Sequence, residues 1–268
     1  MSKLLNSQQT FSDSIYVQIR VIGALMVREM LTTYGRKNLG FLWLFLEPLI
    51  FIFLIILLKN LIFGTHIKGN ISIYGFLLTG YVVFMLLRRS IGFVGSAAQS
   101  NRGILFHRNV KVIDLFYARF LLEFLSLSFV LVFLNFWFNF FNLMPLPTNF
   151  LKTSLAWLFL GWVIFSIGLI LSYATFKIPL LRRNRFLVLI LITPFTGALT
   201  MLNWLPLEQR EIMSYVPVVH AMELFREGYF GNVNAIYSIS YFLFATFLIF
   251  FIGLVLTKKV RRNLEEAS

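Results

Sequence analysis

Cysteine is absent from the 268 residues, so neither a disulfide framework nor a thiolate metal site is available. Acidic side chains are scarce, 11 Asp and Glu against 24 Lys and Arg, and charged residues of both signs make up only 13% of the chain. Hydrophobic residues make up 59%, and the mean hydropathy is +0.81. That balance excludes an ordinary soluble domain and places the chain among polytopic membrane proteins. The net charge of +13 is therefore read as a positive-inside signal against anionic headgroups, with no nucleic-acid partner expected. Nucleotide motifs are missing too. There is no G-x-x-x-x-G-K-[ST], no Gly-Lys pair and no G-x-G-x-x-G, so ATP is not bound through a P-loop. His66, His107 and His220 are far apart and lack metal-ligand spacing. No nucleophile–base pattern stands out. If this chain moves something uphill, the energy comes from a partner or an ion gradient. The first fourteen residues are polar without an apolar core, so no cleavable signal peptide is expected.

What is present is organised around residues 28–49, REMLTTYGRKNLGFLWLFLEPL. A basic, amphipathic half runs into an apolar half, which suits a chain that lies on the cytoplasmic face and then enters the membrane. Tyr34-Gly35-Arg36 is the expected elbow, since Gly tolerates the backbone angles of a turn. The spacing of Ile15, Ile19, Ile22, Met26 and Met30 predicts a preceding helix over 15–33, too broken by Arg20, Arg28 and Glu29 to span. A span needs about 20 apolar residues. By that rule six are expected, at 40–63, 72–95, 114–141, 151–176, 186–204 and 234–257. Basic residues cluster in the N-terminal arm, in 96–113, in 177–185 and in the tail, which puts both termini in the cytoplasm. Segment 96–113 has room for a short amphipathic helix able to dock into a soluble partner. Residues 204–231, with Pro206 and Pro217, predict short helices partly re-entering the outer leaflet.

Charges inside spans are the main candidates for function, because they are costly in lipid and face the bundle interior. They are Glu47 beside Pro48, Arg88 and Arg89 near the inner end of the second span, and Arg119 and Glu123, which stand four apart on the third with the spacing to pair along one face. Glu47 or Glu123 is expected to meet one of these arginines across helices. Residues 133–141, FLNFWFNFF, crowd the outer end of the third span. They read as an interfacial aromatic belt or as rings, Phe136 and Trp137 among them, that stack on sugar faces along a path.

Three stretches carry a resemblance over nearly the whole chain: residues 28–49, NRGILFHRNVKVIDLFYARFLLE at 101–123 and YVPVVHAMELFREGYFG at 215–231. Together they resemble the membrane subunits of ABC-2-type polysaccharide exporters, most nearly the capsule-export permeases of Gram-negative bacteria of the KpsM, BexB and CtrC type. The resemblance implies an all-α membrane protein of six transmembrane helices in one domain. Residues 1–38 would form a cytoplasmic arm and interface helix, 39–258 the bundle and 259–268 a cytoplasmic tail. It implies a homodimer in the inner membrane that binds two copies of a separate ATPase, which holds the ATP and Mg; no cofactor is bound by the chain itself. The cargo would be lipid-linked capsular polysaccharide, handed to a periplasmic adaptor and an outer-membrane export protein. Arg28, Glu29, Tyr34 and Arg36 would belong to the interface helix and gate. Asn101, Arg102, Gly103, Leu105, Phe106, His107 and Arg108 would form the ATPase-coupling helix. Tyr215, Pro217, His220, Glu223, Arg226 and Tyr229 would lie at the periplasmic exit. An O-antigen or teichoic-acid exporter permease is the alternative within the class. An ion-coupled secondary transporter or a membrane-embedded glycosyltransferase stands outside it and lacks supporting motifs.

Overall fold

The computed structural model describes residues 11–34, 40–63, 66–67, 71–91, 110–231 and 233–266. The expected coupling residues 101–108, the elbow at Gly35 and Arg36 and the side chain of Tyr34 lie outside the described residues. Among the described residues the protein is all-α apart from one antiparallel pair of two-residue strands, β1 (His66–Ile67) and β2 (Ile71–Ser72). Its long helices are α1 (Phe11–Tyr34), α2 (Gly40–Phe63), α3 (Ile73–Arg89), α4 (Val112–Phe140) and α5 (Phe150–Lys177). After them come the short α6 (Pro179–Arg183), α7 (Arg185–Ile192), α8 (Leu207–Ser214) and α9 (Pro217–Phe230), then α10 (Ile239–Glu266).

Side chains sort as a membrane solvent demands. Leu78, Phe116, Leu134, Leu160 and Phe225 are fully buried between helices, while Phe244, Phe247 and Phe251 of α10 and Trp43, Leu46 and Ile50 of α2 stand exposed. An exposed apolar surface this extensive has lipid as its natural surroundings. Among the described residues three helices are long and apolar enough to cross a bilayer: Val112–Phe140, Phe150–Lys177 and Ile239–Val260. The bounds of α2 coincide with the first expected span.

The expected span over 186–204 is not one continuous helix. Helix α7 stops at Ile192, a 3-10 turn occupies Thr193–Thr196, and a second 3-10 turn covers Leu202–Trp204. Pro194 cannot donate a backbone hydrogen bond, and Gly197 takes φ of 71°, where a residue with a Cβ is strained. The apolar run hid both breakers. The chain after Gly197 lies against α3 at Gly80, where a Cβ would sit 2.3 Å from the Ala198 carbonyl oxygen. Backbone cannot yield there as a flexible side chain does. Gly80→Ala is therefore expected to cost about 1–3 kcal/mol by overpacking, read as a lower thermal midpoint in detergent.

Helix α1 has the expected position in sequence. Leu25 and Glu29 face inward and are buried, Gln18 is half-buried, and Tyr16, Ile19, Val27 and Leu31 face outward. Its inward face packs on α4, where the Gln18 side-chain amide donates to the Asp114 carboxylate. Asp114 also accepts from the Lys111 backbone N–H at 2.8 Å, so it caps α4 and docks α1 with one group.

Candidate functional site

Two arrangements of polar side chains interrupt the apolar interior. The first lies where α1, α2, α3 and α4 meet. Arg88 and Arg89 close the last turn of α3, a helix C-terminus that favours cations. Glu47 on α2 bridges them: one carboxylate oxygen pairs with Arg88, the other with Arg89 Nη2 at 3.0 Å. Arg89 turns its other arm to Glu123 of α4 at 2.6 Å, and Nη1 reaches Ser126 Oγ at 3.5 Å. Four residues before Glu123, Arg119 Nε meets Glu29 of α1 at 2.5 Å. Every arginine singled out in the spans thus has a carboxylate from another helix, and both Glu47 and Glu123 make the expected cross-helix contact. These pairs set three arginines against three glutamates.

Exposure is graded across this network. The side chains of Arg89 and Glu123 are 2% and 3% exposed, whereas those of Arg88 and Glu47 are 34% and 21% exposed. The inner pair is locked, since taking away one partner of a buried pair strands the other. The outer pair is closer to a surface ion pair, which contributes little. Arg28 is half-buried on α1 beside Glu29.

The second arrangement ties the broken segment after α7 to α9. The Arg226 side chain is fully buried, and its guanidinium donates to the carbonyls of Gly197 and Thr200 from Nη1 at 2.8 and 2.7 Å and of Ala198 from Nη2 at 2.7 Å. Its plane sits 4.1 Å from the centre of the Phe76 ring, which stacks in turn on Trp204. Burial pulls the guanidinium below its ordinary range to about 9, against the attraction of Glu223. Glu223 accepts from the backbone N–H of Leu202 at 2.9 Å and of Ile236 at 3.3 Å. Burial pushes its carboxyl up, and those two hydrogen bonds pull it back.

His220 Nδ1 accepts from the Ser238 N–H at 3.1 Å, which leaves Nε2 as donor to the Ser214 carbonyl at 2.7 Å and fixes the neutral tautomer. The Tyr229 hydroxyl donates to Asn135 on α4. Pro217 opens α9 as its first residue, where a missing N–H costs nothing. Of the six residues expected at an exit, His220, Glu223, Arg226 and Tyr229 are thus buried in internal bonds, while Tyr215 is 75% exposed. They hold the unit together more than they line it. Lys152 and Glu227, paired at 2.8 Å, belong to the same unit and escaped sequence reasoning.

The aromatic run on α4 forms an outward ladder. Phe129, Phe133 and Trp137 stack at successive turns, with centroids 6.2 and 5.7 Å apart, and Phe141 follows at 5.2 Å. Phe136 and Trp137 are both exposed. Among the described residues no group of His, Asp and Glu is placed to hold a metal ion.

Apolar helices packed around paired internal charges define an all-α membrane protein. No family model matches the chain. Known proteins do. The chain is 31% identical over 257 residues to the capsule polysaccharide export inner-membrane protein CtrC of Neisseria meningitidis serogroup A, covering 96% of this chain and 97% of that one. It is 30% identical over 259 residues to BexB of Haemophilus influenzae, which bears the same description, again over 96% and 97%. The polysialic acid transport protein KpsM of Escherichia coli is 32% identical over 257 residues, covering 90% of this chain and 93% of KpsM. The chain belongs to this family of capsule polysaccharide export inner-membrane proteins.

Proposed function

We propose that this chain is the membrane-spanning permease of an ABC exporter that moves lipid-linked capsular polysaccharide across the inner membrane, driven by ATP hydrolysis in a separate ATPase subunit. The observation that carries the reading is similarity from end to end, over 96% of the chain, to CtrC and BexB. The absence of a P-loop fits a subunit whose energy arrives from outside. Six spans with both termini cytoplasmic agree with the basic segments, provided the broken stretch from α7 through the turn at Leu202–Trp204 serves as the fifth crossing. Two copies would pair around the path, bind two ATPases and deliver cargo to a periplasmic adaptor and an outer-membrane export protein.

Residues 101–108 lie between α3 and α4 in the chain. The end of α3 and the first turns of α4 are joined by Arg89–Glu123, and through Glu47 and Glu29 to α2 and α1. A push on the coupling segment would therefore reach four helices as one rigid body. The test is co-expression with the candidate ATPase, purification in detergent, native mass and ATPase assay. A complex of two permeases and two ATPases is expected, and a stable permease with no ATPase bound would count against the reading. Substituting Arg102 or Phe106 is expected to uncouple ATP hydrolysis from export in a complex that still assembles. Export at the wild-type rate from such variants would remove the coupling role.

A further inference from the structure

The ion network is asymmetric, and the asymmetry singles out Arg88. Arg89 is held by Glu47, by Glu123 and by Ser126, so it keeps a carboxylate if α2 shifts away. Arg88 has one described ion-pair partner, Glu47, and its side chain is 34% exposed where Arg89 is 2% exposed. Helix α2 is also built to shift at this point. Pro48 follows Glu47 directly and removes one backbone donor from the ladder, a common place for a helix to bend. On the face away from the bundle, α2 exposes Leu42, Trp43, Leu46, Ile50 and Leu57. Moving α2 therefore uncovers one positive charge and leaves the buried pair intact.

We propose that Arg88 is an anion-binding residue for the phosphodiester of a lipid headgroup, and that the Glu47 carboxylate occupies its place until that group takes over. A guanidinium presents a planar fork that fits phosphate oxygens in pairs, and it exchanges one oxyanion for another without changing its own charge. Arg88 lies in the last turn of α3, beside the basic segment that the positive-inside pattern puts in the cytoplasm, which is headgroup depth. The assignment of the phosphodiester to lipid-linked cargo rests on the exporter reading; the binding itself does not.

The distinguishing feature is opposite behaviour of the two halves of one ion pair. Glu47→Gln also takes a partner from Arg89, so a purely structural role predicts that both variants disturb the protein, Glu47→Gln the more, and that neither tightens binding. Partner exchange predicts divergence: Glu47→Gln frees the arginine, and Arg88→Gln removes it. The experiment places the full-length chain in nanodiscs of zwitterionic phosphatidylcholine and measures binding of soluble short-chain phosphatidylglycerol, with glycerophosphoglycerol and an oligogalacturonate as further probes. Glu47→Gln is expected to tighten phosphatidylglycerol binding by about tenfold and Arg88→Gln to abolish it. Arg88→Lys, which keeps the charge but loses the fork, is expected to bind at an intermediate level and guards against a folding failure in Arg88→Gln. Binding of glycerophosphoglycerol at similar strength would support a site for the headgroup alone, and its absence a site that also holds the chains. A parallel change in the two variants overturns the proposal, as does binding of the oligogalacturonate with neither phosphodiester. A complex that assembles with its ATPase and exports normally with Arg88→Gln binding unchanged would sink this inference while leaving the exporter reading in place.

Discussion

Alanine in place of Arg89 is expected to cost the protein a large share of its stability. The substitution takes from the Glu123 carboxylate, 3% exposed, a guanidinium at 2.6 Å, and from Glu47 one of its two arginines. Breaking a buried ion pair from one side costs about 3–5 kcal/mol, a large share of the roughly 5–15 kcal/mol that holds a typical domain together. Thermal denaturation in detergent, followed by size-exclusion of the surviving monodisperse protein, reads this directly. The control is the double replacement Arg89→Met with Glu123→Leu, which removes both charges and leaves apolar volume. It is expected to recover much of the loss, because exchanging a buried pair for packed apolar groups is often neutral. Arg88→Ala is expected to change stability far less, by about 1 kcal/mol at most, since a partly exposed pair is weak. Equal destabilisation by Arg88→Ala and Arg89→Ala would show that the graded burial of the network has no energetic meaning.

The second large effect belongs to Arg226. Its guanidinium satisfies three carbonyls, on Gly197, Ala198 and Thr200, in a stretch with no helical ladder of its own to satisfy them. Alanine leaves all three without that donor, and each buried polar group so stranded costs about 1–3 kcal/mol. Lysine cannot replace the fork, because one ammonium does not reach three carbonyls in the same plane while lying over Phe76. Both Arg226→Ala and Arg226→Lys are expected to release residues 197–204 locally before the bundle unfolds. Hydrogen exchange is the readout: amides of 197–204 should exchange at least tenfold faster while the middle of α4 and α5 stays protected. Uniform loss of protection across the chain would mean that the segment is no separate unit.

Reading the sequence succeeded where one physical rule dominates. Charges in an apolar span must find partners, so Glu47, Arg88, Arg89, Arg119 and Glu123 could be singled out from position alone, and Glu47 or Glu123 was expected to meet an arginine across helices. The bounds of α2, α4 and α5 followed from apolar length within a residue or two. The short α8 and α9 followed from Pro206 and Pro217.

It failed where two rules competed. Over 186–204 the apolar run outweighed Pro194 and Gly197, and the break went unseen although both breakers stand in the sequence. The burial of Arg226 was out of reach for another reason. Its acceptors are backbone carbonyls, which every residue carries, so no side-chain pattern points to them. Helix α1 misled by symmetry. A period of 3.6 residues separates two faces but does not say which one turns inward, and nothing in the sequence alone sets Gln18 against Asp114 or Glu29 against Arg119.

That inward polar face sets an order of events during synthesis. Gln18 and Asp114 are 96 residues apart in the chain. A nascent chain is made from its N-terminus, and early segments wait for later ones. When α1 leaves the ribosome, the carboxylate of Glu29 has no Arg119 to meet, and burying it alone is costly. The helix must therefore stay in the wet interfacial layer while α2 and α3 insert, and it closes onto the bundle only once α4 has been made. The first helix to be made is thus among the last to be locked, and its docking certifies that the fourth is in place.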